Sequence, residues 1–111
     1  MVNSNLLTIN RQLKAYNSKN LEEFIVNFSE DIKVYEFPEK LLYEGKEQFR
    51  LFYSQRFLNS NLLNCIINNR IILNEIIVDH EIIHGIIENP VEVIVLYSFK
   101  NNLIFRIDFL K

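Results

Sequence analysis

Four runs decide the fold: LNCIINNRIIL (Leu63–Leu73), IIVDHEIIHGII (Ile76–Ile87), VEVIVLYSF (Val91–Phe99) and LIFRIDFL (Leu103–Leu110). They are apolar and β-branched, the composition that suits a pleated, half-buried surface. Asn74-Glu75, Glu88-Asn89-Pro90 and Lys100-Asn101-Asn102 separate them. Gaps this short join antiparallel neighbours, because a parallel crossover needs roughly a dozen residues or more. The runs predict one long antiparallel sheet.

Upstream the period changes. Leu6, Ile9, Leu13 and Tyr16 fall at spacings of three and four, which predicts a first helix capped by Ser4. After the polar break at Asn17–Asn20, Asn20 with Glu23 resembles a capping box ahead of a short helix carrying Leu21, Phe24, Ile25 and Phe28. Ser29-Glu30-Asp31 reads as a turn, Ile32 to Phe37 as a short strand ended by Pro38, and Leu41 to Tyr43 as a second extended piece. Past Gly45, Lys46 to about Leu58 predicts a third helix with Phe49, Phe52, Tyr53 and Phe57 on one side. The architecture is α+β: a curved antiparallel β-sheet with three helices packed on its concave face.

The chain has 111 residues, which predicts a single domain over 1–111. Such a length buries roughly 65% of its unfolded surface, enough for one core without staples. Nine Phe and five Tyr point to a ring-lined interior. Net charge is −2 and no basic stretch exists, which argues against nucleic acid and anionic membranes as partners. Cys65 is the sole cysteine, so no internal disulfide forms; this fits a cytoplasmic setting. MVNSNLLTINRQLK has neither the charged start nor the apolar run of a signal peptide. No apolar stretch reaches the ~20 residues of a membrane span. Abundant Asn and Ile with scarce Gly read as the codon bias of an AT-rich bacterial genome.

Alternation divides the second run into two faces. Val78, His80, Ile82 and His84 point one way, and Ile77, Asp79, Glu81 and Ile83 the other. The third run is apolar on both faces, so both must be covered. Helices cover one. A second copy of the chain is expected on the other, giving a homodimer through the outer face of the sheet.

Three segments carry a family resemblance. AYNSKNLEEFIVNFSEDIKVYEFP (Ala15–Pro38) is similar to the opening of the nuclear transport factor 2-like superfamily, which includes ketosteroid isomerases and SnoaL-like polyketide cyclases. YEGKEQFRLFYSQRF (Tyr43–Phe57) resembles its third helix, and VLYSFKNNLIFRIDF (Val95–Phe109) its last hairpin. The order and spacing of all three carry the likeness, which covers nearly the whole chain. It implies a cone-shaped, cystatin-like fold with an apolar pocket between sheet and helices, dimerising through the sheet. The superfamily hosts both enzymes and non-catalytic binders, so function rests on the pocket. The isomerases carry their general base just before the Pro that ends the first strand. Here that place is Phe37, with Glu36 one residue off and expected to point away.

The apolar row of the second run is taken as the pocket wall. His80 then becomes the candidate catalytic acid or base, since imidazole titrates near neutrality. Tyr53 becomes an orienting donor, and Ile82 and His84 join the wall. The alternative is a pair of histidines hydrogen-bonded there structurally. Tyr16, Tyr35, Phe37, Phe49, Tyr53 and Phe57 are candidate ligand contacts; aromatic stripes of this kind also build plain core. Arg56 can meet an anionic group or lie solvated. Asp79 and Glu81 are expected at the dimer seam, paired with Arg70 and Arg106. Reversed faces would make them the pocket acids instead. The histidine spacing suits a metal on a helix rather than on a strand, and no cofactor is expected. Two readings remain: a domain binding a small, largely apolar molecule, or an isomerase-, cyclase- or dehydratase-type enzyme using His-mediated proton transfer.

Overall fold

A computed structural model describes residues 3–111. Met1 and Val2, the start of the stretch read as lacking a signal peptide, lie outside the described residues. In chain order the elements are α1 (Ser4–Asn17), α2 (Leu21–Ile25), β1 (Phe28–Glu36), β2 (Lys40–Glu44), α3 (Lys46–Asn59), β3 (Asn64–Leu73), β4 (Ile76–His84), β5 (Val91–Lys100) and β6 (Leu103–Leu110). The six strands form one curved, unclosed sheet in the order β2-β1-β6-β5-β4-β3.

The long strands form an antiparallel meander, as their short gaps require. Asn101 and Asn102 both have positive φ, 53° and 64°, the left-handed pair that a two-residue hairpin with matching twist demands. One expectation fails: β1 pairs with β6 in parallel, so the sheet is mixed. The connection between those strands contains β2, α3 and the strands β3 to β5, which is ample for a parallel return. Ser29–Asp31, expected as a turn, lies inside β1 where its pairing to β6 is irregular. β4 ends at His84, before the predicted Ile87. Gly85 follows at φ 93°, and a Cβ there would stand 2.6 Å from the backbone of Leu62 and Leu63.

The cap of α1 is Asn3 rather than Ser4: its Oδ1 accepts from the amides of Asn5 (2.9 Å) and Leu6 (3.2 Å). The buried stripe of α1 is also turned from the expected one. Thr8, Ile9, Gln12 and Tyr16 are buried, while Leu6 and Leu13 pack only at its margin. At the end of α1 the Asn17 side chain accepts from the Cys65 amide (2.7 Å) and donates to the Cys65 carbonyl (3.0 Å), fastening the helix to β3. Asn20 caps α2 as expected, accepting from the Glu23 amide at 3.2 Å.

Between helices and sheet lies a cluster of rings. Phe24 sits 4.9 Å from Phe28 and 4.8 Å from Tyr53, and Phe49 sits 4.5 Å from Phe28, all between centroids and tilted. Offsets of this kind favour the ring quadrupoles.

The faces of β4 are opposite to the expected assignment. Ile77, Asp79, Glu81 and Ile83 look inward under the helices, with Asp79 0% and Glu81 4% exposed. Val78, His80, Ile82 and His84 lie on the outer face. Burying two carboxyls is costly unless each finds partners. Arg70 Nε and Nη2 donate to Asp79 at 2.6 and 2.9 Å, and Tyr97 Oη donates to Glu81 at 2.7 Å. Arg106, the other cation considered for them, instead holds Asp108.

Candidate functional site

The cone opens on one side into a mouth of about 370 Å³. Its walls are mainly apolar: Leu42 and Tyr43 of β2, Phe52 of α3, Val93 of β5 and Phe109 of β6. Tyr53, Arg56, Ile83 and Phe109 also line an inner recess of about 40 Å³, so the two spaces adjoin. The recess is more polar. Gln12 and Tyr16 reach it from α1, Cys65 from β3, Glu81 from β4 and Tyr97 from β5.

Glu81 is the titratable centre. Burial pushes its carboxyl up to about 7; the bond from Tyr97 and the neighbouring Cys65 thiol work downward, and the Asp79 charge upward. Burial raises Cys65 and Tyr97 as well, each further raised by Glu81. Glu81 is therefore half protonated near neutral pH, the condition a proton-transfer group needs. Asp79 is committed elsewhere. Its partner Arg70 also donates to Asn10 Oδ1 at 2.8 Å, tying β3 and β4 to α1.

On the other wall stand three phenols and one cation. Burial is the main cause raising Tyr16, Tyr43 and Tyr53, with Tyr43 pushed up to about 12, and the Arg56 charge opposes it at all three. Tyr16, 7% exposed, has no hydrogen-bond partner for its hydroxyl. The Arg56 guanidinium lies 4.9 Å from the centre of the Phe52 ring.

The structure brings two of the expected site residues, Tyr16 and Tyr53, to the recess. Phe49 and Phe57 belong to the ring cluster of the core. Tyr35 lies under the Arg106 guanidinium, 3.9 Å from its ring centre. Phe37 is 57% exposed, and Glu36, expected to point away, shares by alternation the inner side of β1 with Val34. His80, Ile82 and His84 are outside the cone, which corrects their expected placement. His80 is instead braced on the outer face: Asn68 Nδ2 donates to Nδ1 (3.2 Å), leaving Nε2 to donate to Glu92 (2.8 Å).

The signal for the correct face was in β5. Its row Glu92, Ile94, Leu96, Ser98 carries the polar residues, and its row Val93, Val95, Tyr97, Phe99 does not. The hairpin register sets Val93 opposite Glu81 and Ile94 opposite His80. Same-face pairing then carries the carboxyls inward.

No family model matches the chain, and neither does any curated protein. Solved structures do match. A cystatin-fold protein from Novosphingobium aromaticivorans superposes with a TM-score of 0.88 at 20% identity, over 99% of this chain and 100% of that one. A nuclear transport factor 2-like protein from Cytophaga hutchinsonii gives 0.79 at 11%, over 98% and 89%. A computationally designed 17-OHP binder gives 0.82 at 11%, over 97% and 92%. Likeness at such identities establishes the fold: the chain has the α+β, cystatin-like fold that these proteins share.

Proposed function

We propose that this chain, as one domain, binds a small, largely apolar molecule in the cone. The observation that carries this is the apolar mouth of about 370 Å³ opening beside a recess with a few convergent polar groups. That size lies within the roughly 300–1,000 Å³ of ordinary ligand sites. A designed binder of 17-OHP with this fold supports the reading. The neutral dye N-phenyl-1-naphthylamine tests it. Its fluorescence should rise saturably, at one site per chain, and Ile86→Trp, which fills the mouth, should weaken binding roughly tenfold with the melting temperature kept. Binding that does not saturate, or that ignores the substitution, defeats the proposal.

One observation favours a second reading, an isomerase-, cyclase- or dehydratase-type enzyme. Glu81, buried and titrating at about 7, faces the recess. The proton would move through this carboxyl rather than through a histidine, with Tyr53 orienting the substrate. Deuterium exchange at the α-carbon of a bound cyclic enone, followed by NMR, is then faster with the protein than without it. Glu81→Gln should slow it at least about a hundredfold; no exchange with the wild-type chain would sink this reading.

The outer sheet face supports a homodimer. Ile66, Ile71, Leu73 and Ile94 are 47%, 63%, 65% and 41% exposed there, beside Val78 and Ile82. Contiguous apolar surface of this kind marks an interaction site. Among the described residues no helix is long and apolar enough to cross a membrane, and a bacterial cytoplasm suits the single buried thiol.

A further inference from the structure

We infer that the ligand of the cone is an amphipathic carboxylic acid, its carboxylate held by Arg56 and the Tyr16 hydroxyl and its apolar body lying in the mouth. The inference rests on the proposed binding function and names its ligand class.

Three observations carry it. Arg56 is a cation without an anion. Arg50, Arg70 and Arg106 each hold a carboxylate, from Glu22, Asp79 and Asp108 respectively, and Arg11, exposed on α1, lines neither the mouth nor the recess. Arg56 forms no ion pair among the described residues, and Glu81, the carboxyl that shares its recess, is hydrogen-bonded by Tyr97 instead. Second, Arg56 lines both the mouth and the recess, as Tyr53, Ile83 and Phe109 do, and it is the one cation among these shared residues. Third, the buried Tyr16 hydroxyl finds no acceptor for its proton, the neighbouring Arg56 guanidinium being a donor only. An unpaired buried hydroxyl costs about 1–3 kcal/mol, a cost that an acceptor supplied by a ligand removes.

The chemistry favours a carboxylate over a neutral acceptor. A guanidinium presents paired N–H donors that match the two oxygens of a carboxylate, and such charge-assisted bonds are roughly twice as strong as neutral ones. A neutral carbonyl would satisfy Tyr16 and leave the guanidinium unanswered. Apart from the exposed Lys111 and the phenols of Tyr43 and Tyr53, the rest of the mouth is apolar, so the remainder of the ligand is mainly hydrocarbon or ring. Glu81 does not oppose the assignment: it holds its proton in part of the molecules at neutral pH, and its neutral form repels no anion.

Matched pairs of probes test this: 4-phenylbutyrate against 4-phenylbutanamide, and decanoate against decanamide, titrated by calorimetry at pH 6.5. Each acid should bind at least tenfold tighter than its amide. Arg56→Gln should bring each pair within twofold, and Arg56→Lys should keep part of the preference. Tyr16→Phe should weaken the acids severalfold. Circular dichroism and melting curves check that each variant is folded. Amides binding as well as acids overturn the carboxylate assignment and leave the apolar cone standing. A preference that survives Arg56→Gln also overturns it. If none of the four probes binds while the neutral dye does, the assignment is again rejected; if the dye fails as well, the binding function falls with it.

Discussion

Glu81 ties the recess to the stability of the molecule. Its carboxyl is raised from 4.5 to about 7 in the folded state. Between those values the folded chain keeps a proton that the unfolded chain releases, so the contribution of this group to stability is fully present below about pH 4.5 and is lost as pH rises through 7. The whole difference is on the order of 3 kcal/mol, taking 1.36 kcal/mol for each unit. Urea denaturation should therefore show the wild type losing stability relative to Glu81→Gln from pH 5 to 8. A constant difference between the two proteins across that range would contradict the raised carboxyl. Residue type alone could not reveal this. His80 is the side chain whose ordinary pKa suits proton transfer, and Glu81 acquires that property only from its surroundings. Single-strand alternation separated the two rows without saying which was inside. Tyr53 and Tyr16 were legible because helical spacing put each of them on an apolar stripe. Arg56 was visible only as a choice between solvent and ligand, because its missing partner is a fact of three dimensions.

The elements themselves were largely legible. The four runs became β3 to β6 because β-branched composition and short polar gaps both pointed the same way. Their ends were less so. The apolar pattern continues to Ile87, but β4 stops at His84 because the chain entering β3 crosses it at Gly85. That crossing depends on residues far away in sequence. Gly85→Ala must combine a positive φ with a Cβ 2.6 Å from the Leu62 carbonyl carbon, and should cost more than about 2 kcal/mol in chemical denaturation. Gly45→Ala is the control. Its φ of 91° is equally unfavourable, but nothing lies within 4 Å, so only the backbone strain of about 1–2 kcal/mol remains. Equal losses at the two sites would show that the close approach is unimportant. Asn3 won the cap of α1 over Ser4 because the helix begins at Ser4 itself, one residue earlier than a Ser4 cap would place it. Both residues are good caps, and the sequence offers no way to rank them.

For the whole molecule, the faces of the sheet carry different duties. The inner face holds the ring cluster and the recess. The outer face keeps Ile71 and Leu73 well exposed. The proposed dimer covers that face, and light scattering should return twice the 13.3 kDa mass of the chain. Ile71→Lys, placed on the outer row of β3, should shift the population toward monomer without changing the melting profile of the cone. A wild-type mass equal to one chain would remove the dimer. Asp79 and Glu81, expected at a seam on the outer side of the sheet, lie on its inner face, and His80 and its row take the outer one. The mixed sheet was not legible at all. Hairpins announce themselves through short gaps, but a parallel pair joins strands that are distant along the chain and leaves no local mark.

That parallel pair has a consequence for how the molecule is made. β1 meets β2 locally, but its other edge meets only β6, near the far end of the chain. During synthesis β1 emerges early and keeps an open edge until Leu103–Leu110 has left the ribosome. Contacts of such sequence separation form slowly, because a long loop must close before they contribute. The helices, the β1–β2 hairpin and most of the meander can form as the chain emerges. The cone itself cannot close until its last strand arrives, and a chain cut short before β6 would present an unpaired strand edge to its neighbours.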